Sequence, residues 1–357
     1  MQINMFKPGR PTQLAVTFTC QIAFVLFGYD QGVFSGIIGN DDFLRRMGRP
    51  NDSPIGIIVS VYNLGAFAGC IINFFTSGIL GRRRSIWFAQ VWIIIGAILQ
   101  TSAFGVPQML IARFITGIGT GIDTSTVPSY QAELSEPHKR GKLLCSEPLY
   151  VGVGIVISYF TDYGLSFVST PVGLAWRLPI SLQIIFCFIV TALVFGLPES
   201  LRYCYERGRT EEALDILCRV YDRPAEDKKI QREQGDILEA IALEREQGQY
   251  RWRDLFKRDK LQTGRRVLLA YGMQFMNQMG GINLVSNTFT TRSTILTRTQ
   301  VVYYVPTAIE SNVGLPRNQA LIIGGFVQVM FVIGSFYPTY FADRVGRANP
   351  CYGVRER

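Results

Sequence analysis

Long apolar runs, such as residues 16–26, 91–99 and 182–197, alternate along the chain with short and strongly charged segments. A helix needs about 20 mostly apolar residues to cross roughly 30 Å of hydrocarbon, where no backbone group can be left unpaired. On that criterion the pattern predicts eight spans, at about 14–38, 55–80, 86–104, 108–127, 149–164, 178–197, 267–284 and 321–342. Residues 205–266, between the sixth and seventh, mix acids and bases on helical spacing, as in EEALDILCRVY and GDILEAIALERE. Short amphipathic helices in water are the expectation there.

Composition sharpens this picture. The 357 residues are 48% hydrophobic and only 18% charged, against roughly 25% charged in ordinary soluble domains. The net charge of +9 would suit nucleic acid if it lay along one face. It falls instead in a few loops, which membrane topology explains and which leaves no nucleic-acid partner to predict. Arg82, Arg83 and Arg84, then Lys139, Arg140 and Lys142, then Arg344 and Arg347 occupy loops on one side. The loop at 104–107 is uncharged, and Asp41, Asp42 and Asp52 offset Arg45, Arg46 and Arg49 in the first loop. The positive-inside rule therefore puts the N-terminus and residues 205–266 in the cytoplasm. Lys7 and Arg10 lead straight into a full-length span, so the first span should serve as its own signal.

The seven cysteines include Cys20, Cys70 and Cys187 inside apolar runs, and none form a CxxC pair. With His138 as the single histidine, there is no His/Cys metal set, and no cofactor is expected. Nucleophile-elbow and phosphate-loop patterns are missing too, which argues against an enzyme.

Asp30, in FGYDQGVFSG, lies about two thirds along the first span. An acid there costs about 2.5–3.5 kcal/mol on insertion scales and needs compensation. It reads either as a proton carrier, since burial disfavours the carboxylate and a nearby cation favours it, or as a solvated residue near the headgroups. Arg113, in span four, is its natural counter-charge, or else an interfacial arginine that snorkels. The stretch GIGTGID at 117–123 lacks the strand a phosphate loop requires and reads as small-residue helix packing. In span seven, Gln274, Asn277 and Gln278 share one helical face, followed by Asn283. Amides donate and accept together, which suits a polyhydroxylated ligand; hydrogen bonding between helices is the alternative.

The halves also repeat. SGILGRRRS after span two and FADRVGRAN after span eight align on Gly81 and Gly346, the internal repetition typical of transporters with a midplane site. Together with RFITGIGTG, VPSYQAELS, KRGKL, WRLPISLQ, the PES–L–R pattern at 198–202 and NQMGGIN, the ordered set resembles the sugar porter family of the major facilitator superfamily, in particular fungal monosaccharide transporters. The resemblance implies an all-α membrane protein of the major facilitator fold. The parts would be a cytoplasmic N-terminus (1–13), a complete six-span half (14–197), an intracellular helical domain (198–266) and a partial C-terminal half (267–347). It implies transport of a hexose or similar monosaccharide by proton symport across the plasma membrane. The partners would be a sugar, protons and the lipid bilayer, without an obligate protein partner.

On that resemblance Asp30 and Arg113 would couple protons, and Asn277, Gln278, Asn283 and Tyr303 would contact sugar hydroxyls. Arg82, Arg83, Glu133, Arg140, Glu199, Arg202, Asp343, Arg344 and Arg347 would form a cytoplasmic charge network latching the halves. The chain departs from the family at Gly78, where an acid is usual, and at Pro148 and Asn277, where glutamines are common. A polyol or quinate-like substrate therefore stays open, as does a non-transporting membrane sensor. Residues 285–300 interrupt the family pattern, and their removal restores GGINLVVYYVP, as a retained intron would. After DRVGR the pattern of the family is lost in the 348–357 tail, and a chain of this length is not expected to transport.

Overall fold

The computed structural model describes residues 6–49, 52–167, 173–246, 263–279, 306–307, 309–310 and 314–345, and their regular secondary structure is helical. Seven long helices carry one unit, Met1–Asp222 with Val302–Arg357: α1 (Arg10–Ile37), α3 (Asp52–Leu80), α4 (Arg82–Thr101), α5 (Val106–Leu134), α6 (Pro137–Leu165), α7 (Leu174–Phe195) and α12 (Arg317–Val345). Short helices α2 (Asp41–Arg46), α8 (Leu201–Glu206) and α9 (Thr210–Tyr221) join them. The second unit, Arg223–Val301, contains α10 (Lys228–Glu246) and α11 (Thr263–Met279).

Six of these helices, α1, α3, α4, α6, α7 and α12, are long and apolar enough to cross a membrane, among the described residues. Helix α5 is as long but carries Arg113, Asp123 and Glu133, and it packs on α3 and α4 with α1 alongside. Its polar side chains are therefore turned inward, with Arg113 and Asp123 both buried. The hydroxyls of Thr116, Thr120, Thr124, Ser125 and Thr126 each donate to a carbonyl four residues back, which hides a donor that lipid could not accept. Conversely, Phe67, Phe74, Phe75, Phe188 and Phe326 are exposed, as side chains facing acyl chains are.

Two helix crossings rest on glycine. A Cβ on Gly154 of α6 would meet the Tyr29 nitrogen of α1 at 2.8 Å as well as the Val25 carbonyl. A Cβ on Gly117 of α5 would stand 3.0 Å from the Ala66 nitrogen of α3. Without side chains the backbones approach closely, and dispersion replaces the hydrophobic drive that lipid removes. Asn73 Nδ2 donates to Ser125 Oγ at 2.8 Å across the α3–α5 crossing.

The helix ends differ from the spans read in sequence. Helix α6 begins at Pro137, twelve residues ahead of the expected span start. The basic segment HKRGK continues the helix beyond the apolar window, because hydropathy marks lipid and not helicity. The arginine-rich end of the bundle, called the basic end below, is closed by α8 and α9. Helix α9 buries Ala213, Ile216, Leu217 and Val220, a stripe at helical spacing. Its C-terminal carbonyls accept from the start of α1, with Arg219 O taking Gly9 N at 2.7 Å and Val220 O taking Gln13 Nε2 at 2.9 Å. The 198–222 stretch thus packs with the six-helix half, whereas α10 belongs to the second unit. At the start of α10, Asp227 accepts from Lys229 N at 2.9 Å and pairs with Arg223 at 2.8 Å. That N–H bond, with the Arg223 guanidinium, holds the exposed carboxyl below its usual range. The suspected insert at 285–300 and the 348–357 tail lie outside the described residues.

Candidate functional site

Asp30 stands seven residues before the end of α1 and Arg113 seven residues after the start of α5, so at 1.5 Å per residue both lie about 10 Å inside the end opposite the basic one. The α1–α5 contact brings them together. Arg113 Nη1 donates to Asp30 Oδ1 at 3.2 Å and to Oδ2 at 3.3 Å. The pair is removed from solvent, with side-chain exposures of 2% for Asp30 and 0% for Arg113. The guanidinium carbon lies 3.9 Å from the Phe34 ring centroid and 4.4 Å from that of Tyr62. Stacked arginine keeps a cation in an apolar setting because ring faces are negative and its own hydration is weak. No snorkelling is involved, since the charge points into the bundle. Next to this pair, a buried apolar cluster including Phe43, Met47, Ile55, Met109 and Trp176 seals that end, with Phe43 edge-on to Trp176 at 5.5 Å.

At the basic end, the predicted charged residues meet around the α3–α4 turn. Gly81 holds φ +84° and ψ 168°, a region essentially reserved for glycine, and a Cβ there would stand 2.9 Å from Tyr203 and 3.0 Å from Glu199. Arg82 pairs with Glu133 at 3.1 Å, and Ser200 Oγ donates to the second Glu133 oxygen. Glu199 accepts from the backbone nitrogens of Arg83 at 2.9 Å and Ser200 at 3.1 Å. Burial pushes the Glu199 carboxyl up, against the opposing pull of these N–H groups and the arginines. Arg83 Nη2 caps the end of α7 through the Phe195 carbonyl at 3.1 Å. Tyr130 and Tyr203 donate to the carbonyls of Pro198 and Ile79 at 2.6 and 2.8 Å. The network thus ties α3, α4, α5 and α7 within one half.

Arg202 pairs with Glu206 of its own helix at 2.9 Å, and Arg140 is exposed on α6. Asp343 and Arg344 fall in α12 and Asn277 and Gln278 in α11, with their side chains outside the described residues. Arg347, Asn283 and Tyr303 lie outside them altogether. Pro148 is exposed within α6.

Sequence reasoning passed over two further buried acids. Asp123, 4% exposed, accepts from Gln90 Nε2 of α4 at 3.2 Å. Asp162, 6% exposed, lies beside Gly36 of α1, whose carbonyl accepts from Arg317 of α12. Each was in view, in GIGTGID and ISYFTDYG, as a carboxylate within an apolar run. Nearby, Ser166 Oγ donates to Asn318 at 3.2 Å, while Thr339 Oγ1 donates to Cys145 O at 3.2 Å toward the basic end. Helix α12 therefore lies along α6 over most of its length.

The family model described as sugar (and other) transporter matches residues 16–351. The chain belongs to this transporter family. MFS-type transporter oryC of Aspergillus oryzae is 35% identical over 93% of the chain and 59% of its own length. The quinate permease of Neurospora africana is 30% identical, with 97% of the chain and 66% of the permease covered. The chain spans about three fifths of the length of the first curated relatives it matches. Among solved structures, the proton:xylose symporter XylE of E. coli superposes with a TM-score of 0.76 at 23% identity, over 94% of this chain and 70% of that one. That likeness shows the major facilitator fold, and the family match together with the six long apolar helices makes the chain a multi-pass membrane protein. Its relatives are transporters and not enzymes.

Proposed function

We propose that the chain carries the N-terminal half of a proton-coupled sugar porter that works by alternating access. The observation that carries this reading is the buried Asp30–Arg113 pair. An acid sealed from lipid and water, with one cation in reach, binds a proton by giving up its ion pair. Protonation of Asp30 frees Arg113, and the two states favour different packings of α1 against α5. The proton gradient thereby biases the conformational equilibrium, as any ligand with differential affinity does.

In this reading Asn277 and Gln278 of α11, with Asn283 and Tyr303, contact the sugar hydroxyls. The Arg82–Glu133 and Arg83–Glu199 contacts keep the first half rigid at its cytoplasmic end, and Arg140, Arg202, Asp343, Arg344 and Arg347 complete the latch between halves. The N-terminus is cytoplasmic, and the membrane is the plasma membrane.

The test is uptake of labelled hexose by carrier-null cells expressing a repaired porter, in which the C-terminal spans of a family member complete this chain, and the Asp30→Asn variant of that porter. Accumulation against a gradient that collapses with a protonophore, and that Asp30→Asn abolishes while exchange persists, supports the proposal. Unchanged uphill uptake by Asp30→Asn refutes it. A quinate-like or polyol substrate is the second reading, supported by the quinate permease relative and by Pro148, which offers no hydrogen bond where the family commonly has glutamine. Competition by quinate and inositol against labelled hexose separates the two.

A further inference from the structure

Arg84 is exposed in the first turn of α4 and has no hydrogen-bond or ion-pair partner among the described residues. It lines a cleft of about 650 Å³ together with Arg83, Arg209, Trp87 and Phe195. The acids of the cleft do not neutralise it. Glu199 is engaged by two backbone N–H groups, and Glu212 pairs with Arg209 at 3.1 Å. Arg83 gives one nitrogen to a neutral carbonyl. Among the described residues, neither the Arg83 nor the Arg84 guanidinium forms an ion pair with a carboxylate.

The cleft is divided by depth. Its charged wall belongs to the first turn of α4 and to α9, where the membrane helices end. Its other wall is Trp87, Phe88, Val194 and Phe195, which begin the apolar surface. Trp87 and Phe195 are 42% and 46% exposed and stand edge to face at 5.9 Å. Aromatic rings of this kind settle at the headgroup level. A free anion would use only the arginines and leave the aromatic wall wet, whereas a phospholipid fills both, with its phosphate on the guanidinium forks and an acyl chain along the rings. The N-terminus of α4 adds its positive end to the same place.

We propose that this cleft binds an anionic phospholipid of the leaflet at the basic end, held by Arg83, Arg84 and Arg209 at the phosphate and by Trp87 and Phe195 at the glycerol and acyl chain. The site shares no residue with the Asp30–Arg113 pair or with the proposed sugar contacts. It touches Glu199 and the α3–α4 turn, so a lipid there would bear on the charge network.

The purified full chain in detergent is titrated with dioctanoyl phosphatidylinositol, dioctanoyl phosphatidylcholine or inorganic phosphate, following tryptophan fluorescence and thermal unfolding. Phosphatidylinositol should shift both, phosphatidylcholine should bind at least tenfold more weakly, and Arg84→Gln/Arg209→Gln should lower affinity for phosphatidylinositol about tenfold while melting like the parent without lipid. The Trp87→Phe variant should keep the thermal shift and lose most of the fluorescence response. Equal binding of both lipids, or phosphate matching phosphatidylinositol, would overturn the proposal, the latter assigning the arginines to a free anion. Unchanged affinity in the double variant would overturn it as well.

Discussion

Breaking the Asp30–Arg113 pair should destabilise the bundle strongly, and the loss should be shared between the partners. At 3.2 Å and an effective dielectric of about 20, the attraction is about 5 kcal/mol, and removing one member of a buried pair costs about 3–5 kcal/mol because the other charge stays behind. Arg113 has no route to water, with its side chain fully buried and rings at 3.9 and 4.4 Å. Asp30→Asn and Arg113→Met should therefore each lower stability by about 3–5 kcal/mol. The double variant removes both charges, and its cost should fall short of the sum by about 2–3 kcal/mol. The assay is equilibrium unfolding in mixed micelles of increasing SDS fraction, followed by circular dichroism, for the parent and three variants. Additivity to within about 0.5 kcal/mol would refute the reasoning, because it would mean that the charges are solvated separately in the native state.

Gly154→Leu should force α1 from α6, a cost at the upper end of the ~1–3 kcal/mol of overpacking, and a melting temperature equal to the parent would contradict the close crossing. Gly81→Ala combines an unfavourable φ of +84° with a 2.9 Å approach to Tyr203, and should cost about 1–3 kcal/mol in the same melting experiment. Ser200→Ala removes the cap accepting from Tyr203 N and the bond to Glu133, a loss of about 1–2 kcal/mol that protease sensitivity near α8 would report. Glu199 is held above its unfolded value by burial, so the native state binds the extra proton. Its contribution is complete below the ordinary glutamate range and is lost as pH rises through the folded value. Glu199→Gln should flatten that part of the stability–pH curve, and an unaltered slope would place the titration elsewhere.

The sequence by itself determined that the chain is helical and membrane-embedded, because lipid accepts only long apolar segments with internally paired backbones. It also gave up the order of the spans and the basic loops, which are one-dimensional signals. The family could be read from its ordered motifs, though no single motif would have carried it. What the sequence left open at Asp30 and Arg113 was a matter of partners. Residues 83 positions apart become one ion pair only when α1 and α5 cross at matching depth, and periodicity carries no such depth. The same limit hid Asp123 and Asp162, since a carboxylate in an apolar run reads alike whether it meets Gln90, a glycine backbone or headgroups. Helix ends escaped as well, as at Pro137, where a polar helix outlasts the apolar window. Tertiary packing alone decided that Glu133, Glu199 and the α3–α4 turn form one network within a half, because short-range hydrogen bonds depend on where helices cross and not on composition.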